Sequence, residues 1–204
     1  MHGAKYDGRS STWQRRTVAG IGIYPGSFDP PTTAHVEIAL AARRRHGLER
    51  VDLAISIDAL GKPAAGSTGP TFEHRVEVLR AVAADHEGLG IVVTEHRLVV
   101  DMADGYDVVV MGADKWAQVN DPAWYDSIAE RDAALAALPV PAIAPRPPHE
   151  VPDEHLLDVA DDLLDVSSTA VRAGRVEWMA AAARRFDALT GAWTDLERYR
   201  REHR

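Results

Sequence analysis

Two separated stretches carry side chains suited to gripping phosphate. The first reads Gly26-Ser27-Phe28-Asp29-Pro30-Pro31-Thr32-Thr33-Ala34-His35. Glycine lets backbone approach a ligand closely, and a helix opening just after it presents free N–H groups to an anion. Thr32 and His35 are three apart, so one helical turn sets a hydroxyl and an imidazole on one face, where they could grip the same phosphoryl group. The plainer reading is a turn in which Thr32 or Thr33 caps a helix and His35 stays exposed. The second stretch reads Val166-Ser167-Ser168-Thr169-Ala170-Val171-Arg172. Hydroxyls and N–H groups again gather at a helix start, and Arg172 offers a fork of donors to phosphate oxygens. Its plainer reading is a Ser/Thr cap with an incidental surface arginine. Together, at opposite ends of one domain, the two stretches point to an enzyme that handles nucleoside triphosphates.

The elements that must position them alternate in type. Thr17 to Tyr24 is short, β-branched and apolar and ends at Pro25-Gly26, which predicts a buried strand. Thr33 to Arg45 is Ala-rich with helical spacing, and Gly47 is a suitable stop. Val51 to Ile57 reads as a second strand, and Asp58 to Pro70, rich in Gly, Pro and Ala, as a loop. A helix is expected over Thr71 to Ala84 with Thr71 as its cap. Further strands are expected at Gly90–Thr94, Asp107–Met111, Pro141–Ala144 and Leu163–Val166. Further helices are expected at Trp124–Leu138, Val176–Leu189 and Thr194–His203. Residues 1–16 read as a polar tail and 17–204 as a single domain.

Strands alternating with helices predict an α/β fold, a doubly wound parallel sheet with C-terminal helices. In such sheets ligands bind beyond the carboxyl ends of the strands, where the strand order switches. Gly26 to His35 follows the first strand, Lys62 the second, Asp114 the fourth and Arg146 the fifth. All four groups therefore project from one edge of the expected sheet.

Composition limits the partners. The chain has 204 residues, 46% hydrophobic and 26% charged, the mix of an ordinary globular protein. It has no cysteine, which removes disulfides, thiolate metal sites and cysteine nucleophiles. A net charge of −8 argues against broad nucleic-acid binding. No apolar run approaches the ~20 residues of a membrane helix, and no secretory signal pattern opens the chain. The expectation is a cytoplasmic protein. The Ala- and Arg-rich final helices leave self-association open, a solvated helix being the simpler reading.

The first stretch resembles the (H/T)-x-x-H signature of the nucleotidyltransferase superfamily, with Thr32 and His35 at its two ends. The second resembles that superfamily's I-S-S-T-x-x-R signature. Within it the chain is most similar to nicotinamide or nicotinate mononucleotide adenylyltransferases. Their Gly-Ala-Asp motif is matched by Gly112-Ala113-Asp114, and Trp124 falls near their ring-stacking aromatic. The resemblance covers about Thr17 to Gly174 and implies a Rossmann-like nucleotidyltransferase fold.

It also implies a reaction in which the 5′-phosphate of a mononucleotide attacks the α-phosphorus of ATP and pyrophosphate leaves. By that resemblance Thr32, His35 and Arg172 are the catalytic set. Gly26, Ser27, Phe28, His35, Ser167, Ser168, Thr169 and Arg172 form the ATP site, and magnesium arrives on the ATP phosphates. The phosphorylated acceptor falls to Lys62, Arg75, Asp114, Trp124 and Arg146. Four of these have a plainer reading. Lys62 is then a solvated loop lysine, Arg75 a helix-surface arginine, Asp114 a helix cap and Trp124 ordinary packing. Two departures concern the acceptor and the helix start. Glu95 to Gly105 lacks the Ser-Tyr-Thr-x-x-Thr-Leu run of bacterial nicotinate enzymes, and Ala34 stands where many relatives have glycine. Phosphopantetheine adenylyltransferase, a cytidylyltransferase and a decayed nucleotide-binding regulatory module are the alternatives.

Overall fold

Five apolar runs pair as parallel strands in the computed structural model, which describes residues 20–57 and 69–203. They are β1 (Ile21–Pro25), β2 (Arg50–Ser56), β3 (Leu89–Thr94), β4 (Val108–Gly112) and β5 (Val140–Ala144). Their order is β3-β2-β1-β4-β5, so the winding reverses between β1 and β4. β1 pairs with β2 from Ile21↔Arg50 to Pro25↔Ala54, but with β4 only at Gly22↔Val108 and Ile23↔Val109. Past Ile23 the two central strands part, and a crevice opens at their carboxyl ends.

The pleat sorts side chains to two faces. Tyr24, Leu53, Ile55, Val108, Val110, Ala142 and Ala144 pack under α1 (Thr33–His46), α2 (Phe72–Ala84) and the C-terminal helices. Ile23, Ala54, Val109, Met111 and Ile143 pack on the other face, under α3 (Val99–Met102) and α4 (Ala113–Asn120). The predicted doubly wound α/β fold is therefore present. Gly47 ends α1 in the left-handed region at φ 61°, and Thr71 caps α2 as expected.

Several expected elements differ. No strand forms at Leu163–Val166. Asp161–Leu163 is a 3-10 turn, and Val166 N–H closes on the Leu163 carbonyl at 3.1 Å. The edge of β5 is covered instead by residues 155–157, with Ile143 N–H to the His155 carbonyl at 2.7 Å and Leu157 N–H to the Ile143 carbonyl at 2.8 Å. A covered edge cannot template pairing with another chain. The helix expected from Trp124 begins later. Pro122–Trp124 is a 3-10 turn, Ser127 caps α5 (Ile128–Ala137), and the chain between is extended at Tyr125.

The helix expected over Val176–Leu189 is broken in two. Val176–Trp178 is a 3-10 turn, Met179 bridges to Thr32, and α7 runs over Ala181–Thr190. The last helix is α8 (Leu196–Glu202), capped by Asp195. The start of the first expected strand, Thr17–Ala19, and most of the 58–70 loop, including Lys62, lie outside the described residues.

Candidate active site

The first motif leaves β1 and turns into α1. Gly26 cannot carry a side chain here, because a Cβ would sit 2.8 Å from the Phe28 ring. Phe28 itself adopts φ 45°, a strained value for a non-glycine residue, and its ring is buried against Tyr24 and His35. Ring centroids lie 5.7 Å apart for Tyr24–Phe28 and 5.1 Å apart for Phe28–His35, both edge to face. Packing thus holds the turn in its unfavourable shape and sets the plane of the imidazole.

Thr32 is the N-cap of α1, and His35 stands at N3 of a reciprocal capping box. The Thr32 backbone N–H donates to His35 Nδ1 at 3.0 Å, and the Thr32 hydroxyl lies 2.8 Å from the same nitrogen. In return, His35 N–H donates to Thr32 Oγ1 at 3.3 Å. Thr32 is fully buried. Thr32 caps the helix as the plainer reading has it, but His35 is packed in rather than exposed, and the buried hydroxyl faces the imidazole instead of standing free for a phosphoryl group.

A nitrogen that accepts a backbone N–H is unprotonated, so the ring proton sits on Nε2. Burial first, and the nearby Arg146 guanidinium second, lower the His35 pKa from 6.5 to about 4. The imidazole is neutral at pH 7, a directed N–H donor rather than a cation. Above pH 6.5 the unfolded chain is neutral here too, and stability does not change on this account. As pH falls from about 6.5 towards 4 the unfolded chain takes up a proton that the folded one refuses, and stability declines. Nitrogen-15 NMR is expected to show His35 as the Nε2–H tautomer at pH 7 and still neutral at about pH 5. A midpoint near 6.5 would contradict this environment.

The second motif docks directly on the first. Ser167 caps α6 (Ser168–Arg172), accepting from Ala170 N–H at 3.1 Å. Ser168 Oγ donates to the Pro30 carbonyl at 2.8 Å. The Arg172 guanidinium donates to the Asp29 carbonyl, lies 3.9 Å from Asp29 Oδ2, and bonds Thr169 Oγ1 at 3.4 Å. Arg172 and Thr169 remain exposed. Residues 138 or more positions apart in the chain therefore share one loop.

The acceptor candidates divide. Asp114 lies in the first turn of α4, whose N-cap is Gly112 rather than Asp114. Burial raises the Tyr24 pKa first and the Asp114 carboxylate second, while Arg146 opposes both, which sets Asp114 and Arg146 beside Tyr24 at the crevice. Arg75 donates to the Ser27 carbonyl at 3.3 Å. Arg75 and the exposed Trp124 both line a cavity of about 310 Å³ between the two carboxyl-end loops. Arg97, Lys115 and Tyr125 line it too, with an apolar wall from Leu98, Val99 and Met102. No aspartate or glutamate is among the described lining residues.

Lys115 and Arg97 carried no motif of their own. Lys115 follows Asp114, and reading Ala113–Asn120 as a helix would have brought it to the crevice. Among the described residues no group of three histidines or acids is arranged to hold a metal ion, and no helix is long and apolar enough to cross a membrane.

A cytidylyltransferase-like family model matches residues 23–174, a span that begins in β1 and ends just past Arg172. The chain belongs to the cytidylyltransferase-like family. Phosphopantetheine adenylyltransferase of Nitratidesulfovibrio vulgaris is 35% identical over 94 residues, 45% of this chain and 46% of that protein. The chain thus spans about half the length of that relative. A probable nicotinate-nucleotide adenylyltransferase of Gloeobacter violaceus is 28% identical over 78% of this chain and 87% of its own length. One from Bordetella pertussis is 30% identical over 63% and 69%. Among solved structures, the Plasmodium falciparum nicotinic acid mononucleotide adenylyltransferase complexed with NaAD superposes with a TM-score of 0.60 at 12% identity. That likeness covers 85% of this chain and 96% of the other, and it establishes a shared fold.

Proposed function

We propose that the protein is an adenylyltransferase that moves AMP from ATP to the 5′-phosphate of a pyridine mononucleotide and releases pyrophosphate, a step of NAD biosynthesis. One observation carries this reading. The Arg172 motif is hydrogen-bonded onto the His35 loop at the mouth of the β1/β4 crevice, and a cavity with no acid among its described lining residues adjoins it.

The acceptor phosphate oxygen attacks the α-phosphorus as the bond to the bridging oxygen of pyrophosphate breaks. Catalysis is then positioning and charge stabilisation, with no covalent enzyme intermediate. The Nε2–H of His35 meets charge growing on the phosphates. Thr32, being buried, acts by holding the ring. Arg172 and Thr169, with the Ser167 and Ser168 backbone, hold the triphosphate tail, and Gly26 and Ser27 let it come close. Magnesium, when bound, neutralises phosphate charge. Cations and hydroxyls dominate the described site, so phosphate oxygens and water would be its main ligands.

Arg75, tied to Ser27, is placed for the acceptor phosphate, Trp124 and Tyr125 for a planar ring, and Asp114 for a ribose. Arg146 adds positive charge beside His35. With Arg97 and Lys115 also lining the cavity, an acceptor carrying a second negative charge fits it better than a neutral one. We therefore favour nicotinate over nicotinamide mononucleotide. The phosphopantetheine reading draws on the higher local identity of the 94-residue match.

Pyrophosphate release with magnesium and ATP or CTP tests these readings. Nicotinate mononucleotide is expected to be used about tenfold better than the nicotinamide form, the scale of one charge-assisted hydrogen bond. Equal use of the two removes Arg97 and Lys115 from acceptor selection. Product with phosphopantetheine alone moves the protein to the second reading. Tight ATP binding without product from any acceptor leaves a regulatory module.

A further inference from the structure

The family match stops at residue 174, yet a side chain from beyond it reaches the phosphate loop. Trp193 is buried, and its indole Nε1–H donates to Asp29 Oδ1 at 2.7 Å. The other oxygen of the same carboxylate lies 3.9 Å from Arg172 Nη1, and the Asp29 carbonyl accepts from that guanidinium. The indole therefore decides which way the Asp29 carboxylate turns, and the carboxylate helps decide where the guanidinium rests.

Trp193 is itself held firmly. Asp187, a buried carboxylate, accepts from Trp193 N–H at 2.7 Å and Thr194 N–H at 3.1 Å through Oδ1, and from the Thr194 hydroxyl at 2.6 Å through Oδ2. Three donors on one carboxylate fix the turn after α7. Gly191 allows that turn, with φ 73° and a would-be Cβ only 2.7 Å from the Asp195 carbonyl oxygen. Phe186 meets the indole edge to face, with centroids 6.0 Å apart. A buried acid, a fixed turn and an indole N–H form a rigid strut that ends at the phosphate loop.

We propose that Trp193 is a positioning residue of the nucleotide site, presetting Arg172 for a polyphosphate tail through the Asp29 carboxylate. The inference rests on the assignment of Arg172 to the ATP tail. An exposed arginine otherwise samples many rotamers, and presetting it removes that ordering cost from binding. The strut acts on the β- and γ-phosphates, so it discriminates between nucleotides that have them and those that lack them.

Trp193→Phe keeps a buried aromatic ring and deletes the donor, at the cost of part of the indole's volume, which the melting measurement registers. Calorimetric titration with Mg-ATP and with AMP is the test, alongside thermal melting. The expected result is about a tenfold loss of Mg-ATP affinity with AMP affinity within about twofold of the unaltered protein. Asp29→Asn alone carries the same prediction, so it decides the matter whatever the stability of the Trp193 variant. The double variant should lose no more Mg-ATP affinity than the weaker single variant, because both act along one path. Equal losses for ATP and AMP, no loss at all, or losses that multiply in the double variant would each overturn the proposal. Failure of the unaltered protein to bind either nucleotide refutes the ATP site itself, and the strut with it.

Discussion

Replacing His35 by alanine is expected to lower turnover about 10²- to 10³-fold, the usual cost of one preset donor at a charge-developing oxygen. The argument starts from the Nδ1 side of the ring. Thr32 N–H occupies that nitrogen at 3.0 Å, and Phe28 and Tyr24 fix the ring plane. The Nε2–H is thereby aimed before any substrate arrives, and its hydrogen bond needs no reorganisation during reaction. Alanine also removes half of a capping box, which costs about 1 kcal/mol of stability. Melting and turnover must therefore be measured together. His35→Gln retains a donor near the Nε2 position and should recover part of the rate. Near-normal turnover in a folded His35→Ala protein would remove the imidazole from the mechanism.

The second large effect concerns Arg172. Arg172→Ala is expected to lower kcat/KM for ATP about 10²-fold, since each hydrogen bond to a charged group is worth about 1.5–3 kcal/mol. Arg172→Lys should restore little of this. A lysine keeps the charge but loses the planar fork that reaches the Asp29 carbonyl and Thr169 Oγ1 together. The loss should appear with ATP as the varied substrate and leave KM for the acceptor within about twofold. A lysine variant as active as the original protein would show that only a point charge is needed.

Much of this architecture is legible in the sequence because local chemistry and tertiary packing agree. Thr33 to His46 has helical spacing, a threonine cap and a glycine stop, and it folds accordingly. The β2 and β4 runs are apolar and β-branched because both faces of the sheet are covered. The elements whose sequence pattern misleads are those whose conformation depends on a distant partner. Met179 sits in a helix-like stretch, but its backbone bridges to Thr32 and breaks the helix. Leu163, Leu164 and Val166 look like a strand, yet the β5 edge is taken by residues 155–157.

The candidate site divides along the same line. Gly26 to His35 and Ser167 to Arg172 are contiguous, so their chemistry shows in the order of residues. Short α4, bounded by Gly112 and Asp121-Pro122, spans too few residues for its helical period to stand out, and so hides Lys115. Trp193 lies 164 positions from its partner Asp29, and nothing in its neighbours announces the contact. The buried tie between Thr32 and His35 was also invisible, because the spacing that lets two groups grip a phosphate equally lets them grip each other.

The Thr32–Met179 bridge and the Ala180 N–H to Pro31 carbonyl bond at 3.0 Å bear on how the molecule is made. A ribosome delivers the N-terminal loop long before the segment that closes over it, at roughly 5–20 residues each second. For several seconds the emerging polypeptide therefore has a sheet under assembly and an open loop after β1. The turn into α1 is therefore locked from both sides only after residue 180 has left the ribosome.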